Sequence, residues 1–179
     1  GLSLEINSIG CPTCKKAYNA ELKSYFEQYR NRLCPTCQER LERNPMRIID
    51  CKSEVCSSIA ANAPTMLDYL CEDCRIHMDK TKEYLDNMGI SYIINPNIVR
   101  GLDYYTRTVF EITSDALGAQ STVCGGGRYN GLVEELGGKP TEGIGFAVGL
   151  ERLMMILRTQ GKVVERDCPP QLFIAAIGD

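Results

Sequence analysis

The stretch NIVRGLDYYTRTVFEI, residues 97–112, combines a strand-like pattern with an unusual set of polar side chains. Residues at alternate positions separate into two faces: Thr106, Thr108, Phe110 and Ile112 on one, and Tyr105, Arg107, Val109 and Glu111 on the other. This alternation predicts a β-strand that is buried on one side. Arg100, Asp103 and Tyr104 lie at its entry, and a purely structural strand does not need them.

Two glycine-rich segments follow this strand. STVCGGGRYNGLVEELGG, residues 121–138, predicts a strand that runs into three glycines and then a helix. GIGFAVGLERLMMILRTQG, residues 143–161, predicts a strand and then a helix from about Gly149 that ends before Gly161. Glycines are expected where a backbone turns sharply or comes close to a flat ligand. The glycines fit neither the dinucleotide fingerprint nor the phosphate loop.

Arg152 falls in the first turn of the last predicted helix. The N-terminus of a helix favours negative charge, so a cation there is locally unfavourable. It becomes sensible if a polyphosphate lies in front of it, since guanidinium groups and helix N-termini both bind phosphate. An ion pair with Glu151 or another acid explains the arginine equally well.

The residues before this region predict one strand and a helical segment. Residues 1–10 alternate like a strand, and residues 11–88 are mostly helical with interruptions at Pro45 and Pro64. The last helix of the segment should end at Gly89. His77 is the single histidine, and we expect it to be a packing or surface residue rather than a base.

Charge and composition set broad limits on function. The net charge of −3 gives no reason to propose nucleic-acid binding. Residues 11–47, however, hold eight Lys/Arg against four Glu, which allows either an anion-facing surface or a solvated helical face. We find no transmembrane run and no signal peptide, and therefore expect a cytoplasmic protein without membrane contact. The chain begins without Met, so we expect it to be an excised piece of a longer protein.

Eight of the ten cysteines form pairs before residue 75: Cys11 and Cys14, Cys34 and Cys37, Cys51 and Cys56, Cys71 and Cys74. In a cytosolic protein these are expected to be reduced thiols. The first two pairs match a zinc-site spacing, but a straight helix between them would hold them roughly 30 Å apart. Grouping the second pair with the third, or with the fourth, is easier. Two interpretations of the cysteines remain open: one structural zinc site, or thiols that cap helices or pack in the core.

Several of these segments resemble one enzyme family. RGLDYYTRTVFEI, residues 100–112, resembles the histidine-specific motif of histidyl-tRNA synthetases. GIGFAVGLERL, residues 143–153, resembles motif 3 of class II aminoacyl-tRNA synthetases, and CGGGRYNGL, residues 124–132, is similar to the glycine segment between the two. LEINSIG, residues 4–10, resembles the strand that follows motif 2. The resemblance covers nearly the whole chain, but the cysteine pairs are not part of the family pattern.

The resemblance implies an α+β fold: part of the class II antiparallel sheet with flanking helices, plus a mostly helical insertion. Residues 1–10 would be a strand of the catalytic core and 11–89 the insertion with its four cysteine pairs. Residues 90–160 would be catalytic core with the histidine-specific motif and motif 3. Residues 161–179 would be a linker and the first strand of a truncated anticodon-binding domain.

The resemblance also implies a reaction and its residues. The family activates histidine with ATP and Mg²⁺ and transfers it to tRNA(His). Arg100 matches the arginine at the α-phosphate, and Arg152, beside Gly149, matches the motif 3 arginine at the γ-phosphate. The residues that match the histidine pocket are Arg100, Tyr104, Tyr105, Gly127 and Tyr129. Magnesium ligands are expected upstream of this chain; Glu111 is a weak candidate, more plausible as an ion-pair partner of Arg107.

Motif 1, which builds the family's homodimer, and motif 2 are not found in these residues. We therefore expect this piece alone neither to activate histidine nor to charge tRNA. Two other interpretations are a synthetase-like regulatory subunit of the first histidine-biosynthesis enzyme and a cysteine-rich metal-binding interaction module. Loss of the two arginines that match phosphate-binding residues would favour the regulatory subunit, but Arg100 and Arg152 are both present. The metal-binding module explains none of the features after Gly89.

Overall fold

The computed structural model describes residues 1–118 and 121–162 together with Leu172 and Ala175. Its strands are β1 (Leu2–Ser8), β2 (Tyr92–Ile94), β3 (Tyr105–Ser114), β4 (Thr122–Tyr129) and β5 (Gly143–Val148). Its helices are α1 (Pro12–Glu27), α2 (Pro35–Arg43), α3 (Met46–Ile49), α4 (Glu54–Ala60), α5 (Glu72–Asn87), α6 (Leu132–Glu135) and α7 (Leu150–Thr159). The predicted α+β class is confirmed. The linker and strand predicted over 161–179 lie almost wholly outside the described residues.

The strands form one mixed sheet in the order β2-β1-β3-β4-β5. β1 pairs antiparallel with β3 along its whole length, from Leu2 opposite Ser114 to Ser8 opposite Thr108. β3, β4 and β5 continue antiparallel, whereas the short β2 lies parallel to β1 at the other edge. The N-terminal strand therefore lies inside the sheet, next to the central strand β3, which carries the tyrosine and arginine pattern.

The strict alternation of side chains predicted for β3 is wrong over the first residues of the strand. Arg107 has a φ of 56°, and the register with β4 shifts between Tyr105 and Val109. The bulge is held by β1, because Ile9 N–H donates to the Arg107 carbonyl at 2.7 Å and Arg107 N–H donates to the Gly10 carbonyl at 2.9 Å. Between these positions β3 advances four residues while β4 advances two, from Tyr129 to Gly127, so β3 holds two extra residues and its strict alternation is interrupted. As a result Tyr105 and its neighbour Thr106 are both buried.

The segment between β1 and β2 is helical, as predicted, and packs on the sheet. The stripe on α1 is buried, with Tyr18, Leu22 and Phe26 at 0–1% exposure. These side chains belong to the same core as Val109 of β3. Because a buried apolar stripe at helical spacing needs a partner surface, this packing joins the helical segment to the sheet.

The end of the helical segment also follows the prediction. α5 ends at Asn87, and Gly89 has a φ of 67°, a conformation that suits glycine after a helix. His77 on α5 lies 3.0 Å from the hydroxyl of Thr108, and burial lowers its pKa. It is a packing residue, as expected. No helix in the described part of the chain is long and apolar enough to cross a membrane.

Replacing Gly126 by alanine should destabilise the sheet, because the added Cβ would collide with the Gly145 carbonyl oxygen and with Phe146 on β5. The obstacle is the neighbouring strand itself, so that strand must move. Overpacking of this kind costs about 1–3 kcal/mol of unfolding free energy. Urea unfolding of the purified protein measures the loss.

Gly131→Ala is the matched control. Gly131 has a φ of −108°, and a Cβ there meets no atom within 4 Å. Its unfolding free energy should stay within about 0.5 kcal/mol of the parent. Equal stability of the two variants would contradict the close approach of β4 and β5 at Gly126.

Candidate functional site

Arg100 lies in the segment between β2 and β3, and β1 fixes that segment. The side-chain amide of Asn7, which is 1% exposed, donates to the carbonyls of Pro96 at 3.1 Å and Ile98 at 3.2 Å. An isolated loop carbonyl buried without a donor would be costly, so this buried amide sets the course of the chain. Sequence reasoning missed Asn7, because it lies on the polar face of the β1 alternation with Ser3 and Glu5 and gives no signal of its own.

Arg100 and Arg152 are connected through Glu111 and Thr122. Arg100 Nη1 donates to one oxygen of Glu111, and the Thr122 hydroxyl donates to the other at 2.6 Å. Arg152 Nη1 donates to the main-chain carbonyl of Thr122. Both arginines line a cavity of about 330 Å³ together with Gly125. Two cations that are distant in sequence therefore face one space.

This network corrects the expected ion pair of Glu111. Its partner is Arg100, not Arg107. The bulge takes Arg107 out of the β3 alternation, whereas Glu111 lies opposite Gly125, over which the Arg100 guanidinium packs. Each Glu111 oxygen accepts one hydrogen bond and keeps a second lone pair, so a magnesium role for Glu111 stays a prediction.

The glycines of β4 and β5 make room for the side chains of the site. A Cβ on Gly125 would lie 2.7 Å from Arg100 Nη1, and one on Gly127 would lie 2.9 Å from the Tyr105 ring. A Cβ on Gly143 would likewise lie 2.5 Å from the Tyr129 ring. Residues 125–127 were expected either to turn sharply or to come close to a flat ligand; the turn is not formed, because all three glycines lie within strand β4.

Three tyrosines form an aromatic group beside the arginines. The rings of Tyr104 and Tyr105 have centroids 4.6 Å apart, and Tyr104 meets Tyr129 edge to face at 5.8 Å. Tyr105 is buried, and burial raises the pKa of its hydroxyl. The phenol is therefore protonated at neutral pH and can donate a hydrogen bond to a bound ligand.

A second cavity, of about 840 Å³, borders the first and shares Thr122 and Arg152 with it. Its sheet side includes Glu5, whose carboxylate accepts from Asn95 at 2.5 Å and from Thr113 at 3.1 Å. Volumes of 300–1,000 Å³ are usual for small-molecule sites. The two adjoining cavities are large enough for a nucleotide and a small second ligand.

Some of the Lys and Arg side chains on the helical segment bind other residues of the same molecule. Lys15 donates to the Tyr105 carbonyl at 2.6 Å, and burial lowers its pKa. Lys23 and Arg30 both pair with Glu42. The hypothesis of an anion-facing surface therefore depends on the exposed members, such as Lys16 and Arg43.

The four cysteine pairs gather into two clusters. The outer cluster is Cys11, Cys14, Cys71 and Cys74, and the inner cluster is Cys34, Cys37, Cys51 and Cys56; within each, all sulfurs lie within 4.8 Å of one another. The first two pairs do not share a site, as the distance argument predicted. Joining the second pair with the third is confirmed, and joining it with the fourth is wrong. None of the nine cysteines in the described residues is in a disulfide.

The family model for histidyl-tRNA synthetase matches residues 49–153, more than half of the chain. The histidine–tRNA ligase of Acetivibrio thermocellus is 59% identical over 99% of this chain and 43% of its own length. That of Clostridioides difficile is 52% identical, with 99% and 43% covered. The chain thus spans less than half the length of these curated relatives.

Solved structures give the same result for the fold. The apo histidyl-tRNA synthetase of S. aureus has a TM-score of 0.68 and 42% identity, over 93% of this chain and 40% of that one. The histidyl-tRNA synthetase of Nostoc sp. PCC 7120 has a TM-score of 0.51 and 21% identity, over 91% and 43%. At that identity the second likeness shows the fold alone.

Replacing Glu111 by glutamine should destabilise the protein, because it leaves the Arg100 guanidinium without its carboxylate. The two side chains are only 26% and 20% exposed, and a hydrogen bond to a charged group at such a site is worth about 1.5–3 kcal/mol. Urea unfolding measures the loss.

Glu142→Gln is the matched control, since Glu142 pairs with Arg128 but is 63% exposed. Removing an exposed ion pair should cost at most about 1 kcal/mol. If both variants lose the same amount, the central position of Glu111 in the site is contradicted.

Proposed function

Because the chain belongs to the histidyl-tRNA synthetase family, we propose that it forms part of the catalytic domain of a class II enzyme that activates histidine with ATP and transfers it to tRNA(His). The strongest support is that Arg100 and Arg152 line one cavity, and that Tyr105 of the three-tyrosine group, whose pKa is raised mainly by burial, is close enough to Arg100 for that charge to lower the pKa in part. The names of the relatives support the same reaction. We propose a cytoplasmic homodimer for the full-length enzyme, without membrane contact.

The proposed division of the chain follows from this assignment. Residues 1–10 and 90–160 belong to the catalytic core, residues 11–89 form the insertion, and residues 161–179 lead into the anticodon-binding domain. Ile144 and Phe146 on β5 are 66% and 69% exposed. Apolar side chains in a row on an edge strand favour cover by other protein, and we expect the rest of the catalytic domain to supply it.

Arg100 acts at the α-phosphate in this proposal. The histidine carboxylate attacks phosphorus, negative charge gathers on the non-bridging oxygens, and pyrophosphate leaves. A fixed guanidinium lowers the barrier because it is already positioned where the charge grows. Arg100 Nε is buried and has no hydrogen-bond partner in the described part of the chain. A buried donor of this kind is expected to serve a ligand.

Arg152 acts at the far end of the triphosphate. It stands in the first turn of α7, just after Gly149, where helix N–H groups and the guanidinium both favour an anion. The Cδ atom of Arg152 lies 3.4 Å from the position that a Cβ on Gly149 would occupy, so the arginine packs against this glycine. Magnesium would accompany ATP and neutralise its charge; we assign none of its ligands to this chain.

The tyrosines hold histidine in this proposal. Phenol hydroxyls of Tyr104, Tyr105 and Tyr129 can bond both ring nitrogens of imidazole, and Gly127 leaves the space that the Tyr105 ring occupies. An apolar amino acid would leave those hydroxyls unpaired, which gives strong discrimination. A regulatory subunit that only binds histidine does not need the pair Arg100 and Arg152, so their shared cavity favours the ligase.

Arg100→Ala in the full-length enzyme should reduce histidine-dependent pyrophosphate exchange by about 10²–10³-fold, as loss of one donor to a developing oxyanion does. Histidine binding, measured by calorimetry, should be largely kept. Arg75→Ala removes an exposed arginine on α5 and should leave exchange unchanged. Unchanged exchange in Arg100→Ala would favour the regulatory subunit.

Reversing Lys16 and Arg43 to glutamate should raise the KM for tRNA(His), if the helical segment contacts tRNA phosphates. The effect should weaken as salt rises, because such contacts release counterions. Pyrophosphate exchange, which needs no tRNA, should not change. Lys80→Glu on α5 is a control for surface charge, and an equal effect of that change would contradict a defined tRNA surface.

A further inference from the structure

We propose that the inner and outer cysteine clusters are two structural zinc sites, each with four thiolate ligands. Each cluster draws its sulfurs from two separate pairs: Cys11–Cys14 with Cys71–Cys74, and Cys34–Cys37 with Cys51–Cys56. Neither cluster overlaps the cavities beside Arg100, apart from Cys51 at the border of the larger one. Cys51 is thus the one ligand of the two clusters that lines a cavity of the proposed active site, and the other seven cysteines do not line these cavities.

The sulfur separations fit one tetrahedral ion per cluster. Zinc–thiolate bonds of about 2.3 Å in a tetrahedron require sulfurs about 3.8 Å apart. In the outer cluster Cys11 Sγ lies 3.6 Å from Cys14 Sγ and 3.9 Å from Cys71 Sγ. In the inner cluster Cys34 Sγ lies 3.9 Å from Cys51 Sγ. Disulfide bonds of about 2.0 Å are excluded by these separations.

The backbone around the sulfurs is arranged as thiolates require. Cys11, Cys34 and Cys71 are the N-cap residues of α1, α2 and α5, yet none of the three makes a side-chain cap hydrogen bond. Ser, Thr, Asp or Asn would cap these helices better, so the cysteines serve another purpose there. The positive end of each helix favours a thiolate.

Each cluster is also joined by a main-chain donor that crosses between its pairs. Cys71 N–H donates to Cys14 Sγ at 3.1 Å in the outer cluster. Cys34 N–H donates to Cys56 Sγ at 3.3 Å in the inner cluster. Donors to the sulfurs from the neighbouring pair stabilise negative charge and orient the ligands. The same device thus occurs in both clusters.

The choice of zinc follows from ligand type and size. Soft thiolates select zinc, copper(I) or iron over magnesium and calcium. An iron–sulfur cluster places several iron and sulfide atoms between its cysteines, and sulfurs that all lie within 4.8 Å leave room for one ion only. A closed set of four thiolates, with no open position, is the arrangement of a structural zinc.

The sites explain how a segment of short helices keeps a fixed shape. The outer site ties the start of α1 to the start of α5, and the inner site, nested between them in sequence, ties α2 to α4. α3 and α4 are only four and seven residues long, and isolated helices of that length are unstable. Metal binding supplies the missing folding free energy.

Elemental analysis of the purified protein tests this inference, with two zinc ions per chain expected. Cys34→Ser together with Cys37→Ser should remove one ion, and Cys71→Ser together with Cys74→Ser should remove the other. Cys124→Ser is the matched control, because Cys124 is buried but belongs to neither cluster. It should keep both ions.

A second measurement covers variants that fail to fold. X-ray absorption of the parent protein should give four sulfur ligands per zinc at about 2.3 Å. Zinc well below one ion per chain, iron in its place, or disulfides within the clusters found by mass spectrometry would overturn the inference. None of these outcomes bears on Arg100, so the proposed enzyme activity stands or falls separately.

Discussion

The ion pair between Arg100 and Glu111 is the interaction on which the site depends. Glu111 accepts from Arg100 with one oxygen and from Thr122 with the other, and the Thr122 carbonyl accepts from Arg152. One half-buried carboxylate thus fixes the relative positions of two guanidinium groups. In the proposed reaction both groups would be fixed before a nucleotide binds, so that little reorganisation would be needed when charge develops.

That network requires the backbone of β4 to lie unusually close to the side chains packed against it. Gly125 and Gly127 have no Cβ where the Arg100 guanidinium and the Tyr105 ring lie, and Gly126 allows β5 to approach β4. The helical segment closes the other side, since Lys15 on α1 donates to the Tyr105 carbonyl. The outer cysteine cluster begins at Cys11, three residues after the end of β1, so the helical segment and the sheet are joined at that point.

Periodicity and glycine spacing were enough to predict most elements: β1, β5, α5 and α7 form where the pattern indicated, whereas β4 continues through the three glycines. The sequence also suggested that Arg100 and Arg152 share a site. It could not predict the bulge at Arg107, because that bulge depends on a hydrogen bond donated by Ile9 and one accepted by Gly10, and both residues are distant in the chain. The ion-pair partner predicted for Glu111, Arg107, was wrong because the bulge could not be predicted. Which cysteine pairs meet depends on helix packing, which pair spacing does not encode.

The most direct test is a crystal structure of the full-length enzyme with histidine and a non-hydrolysable ATP analogue. The account predicts that Arg100 donates to an α-phosphate oxygen, that Arg152 donates to the terminal phosphate, and that the imidazole lies among Tyr104, Tyr105 and Tyr129. A nucleotide bound elsewhere, with Arg100 still turned to Glu111 alone and Arg152 away from any phosphate, would contradict it.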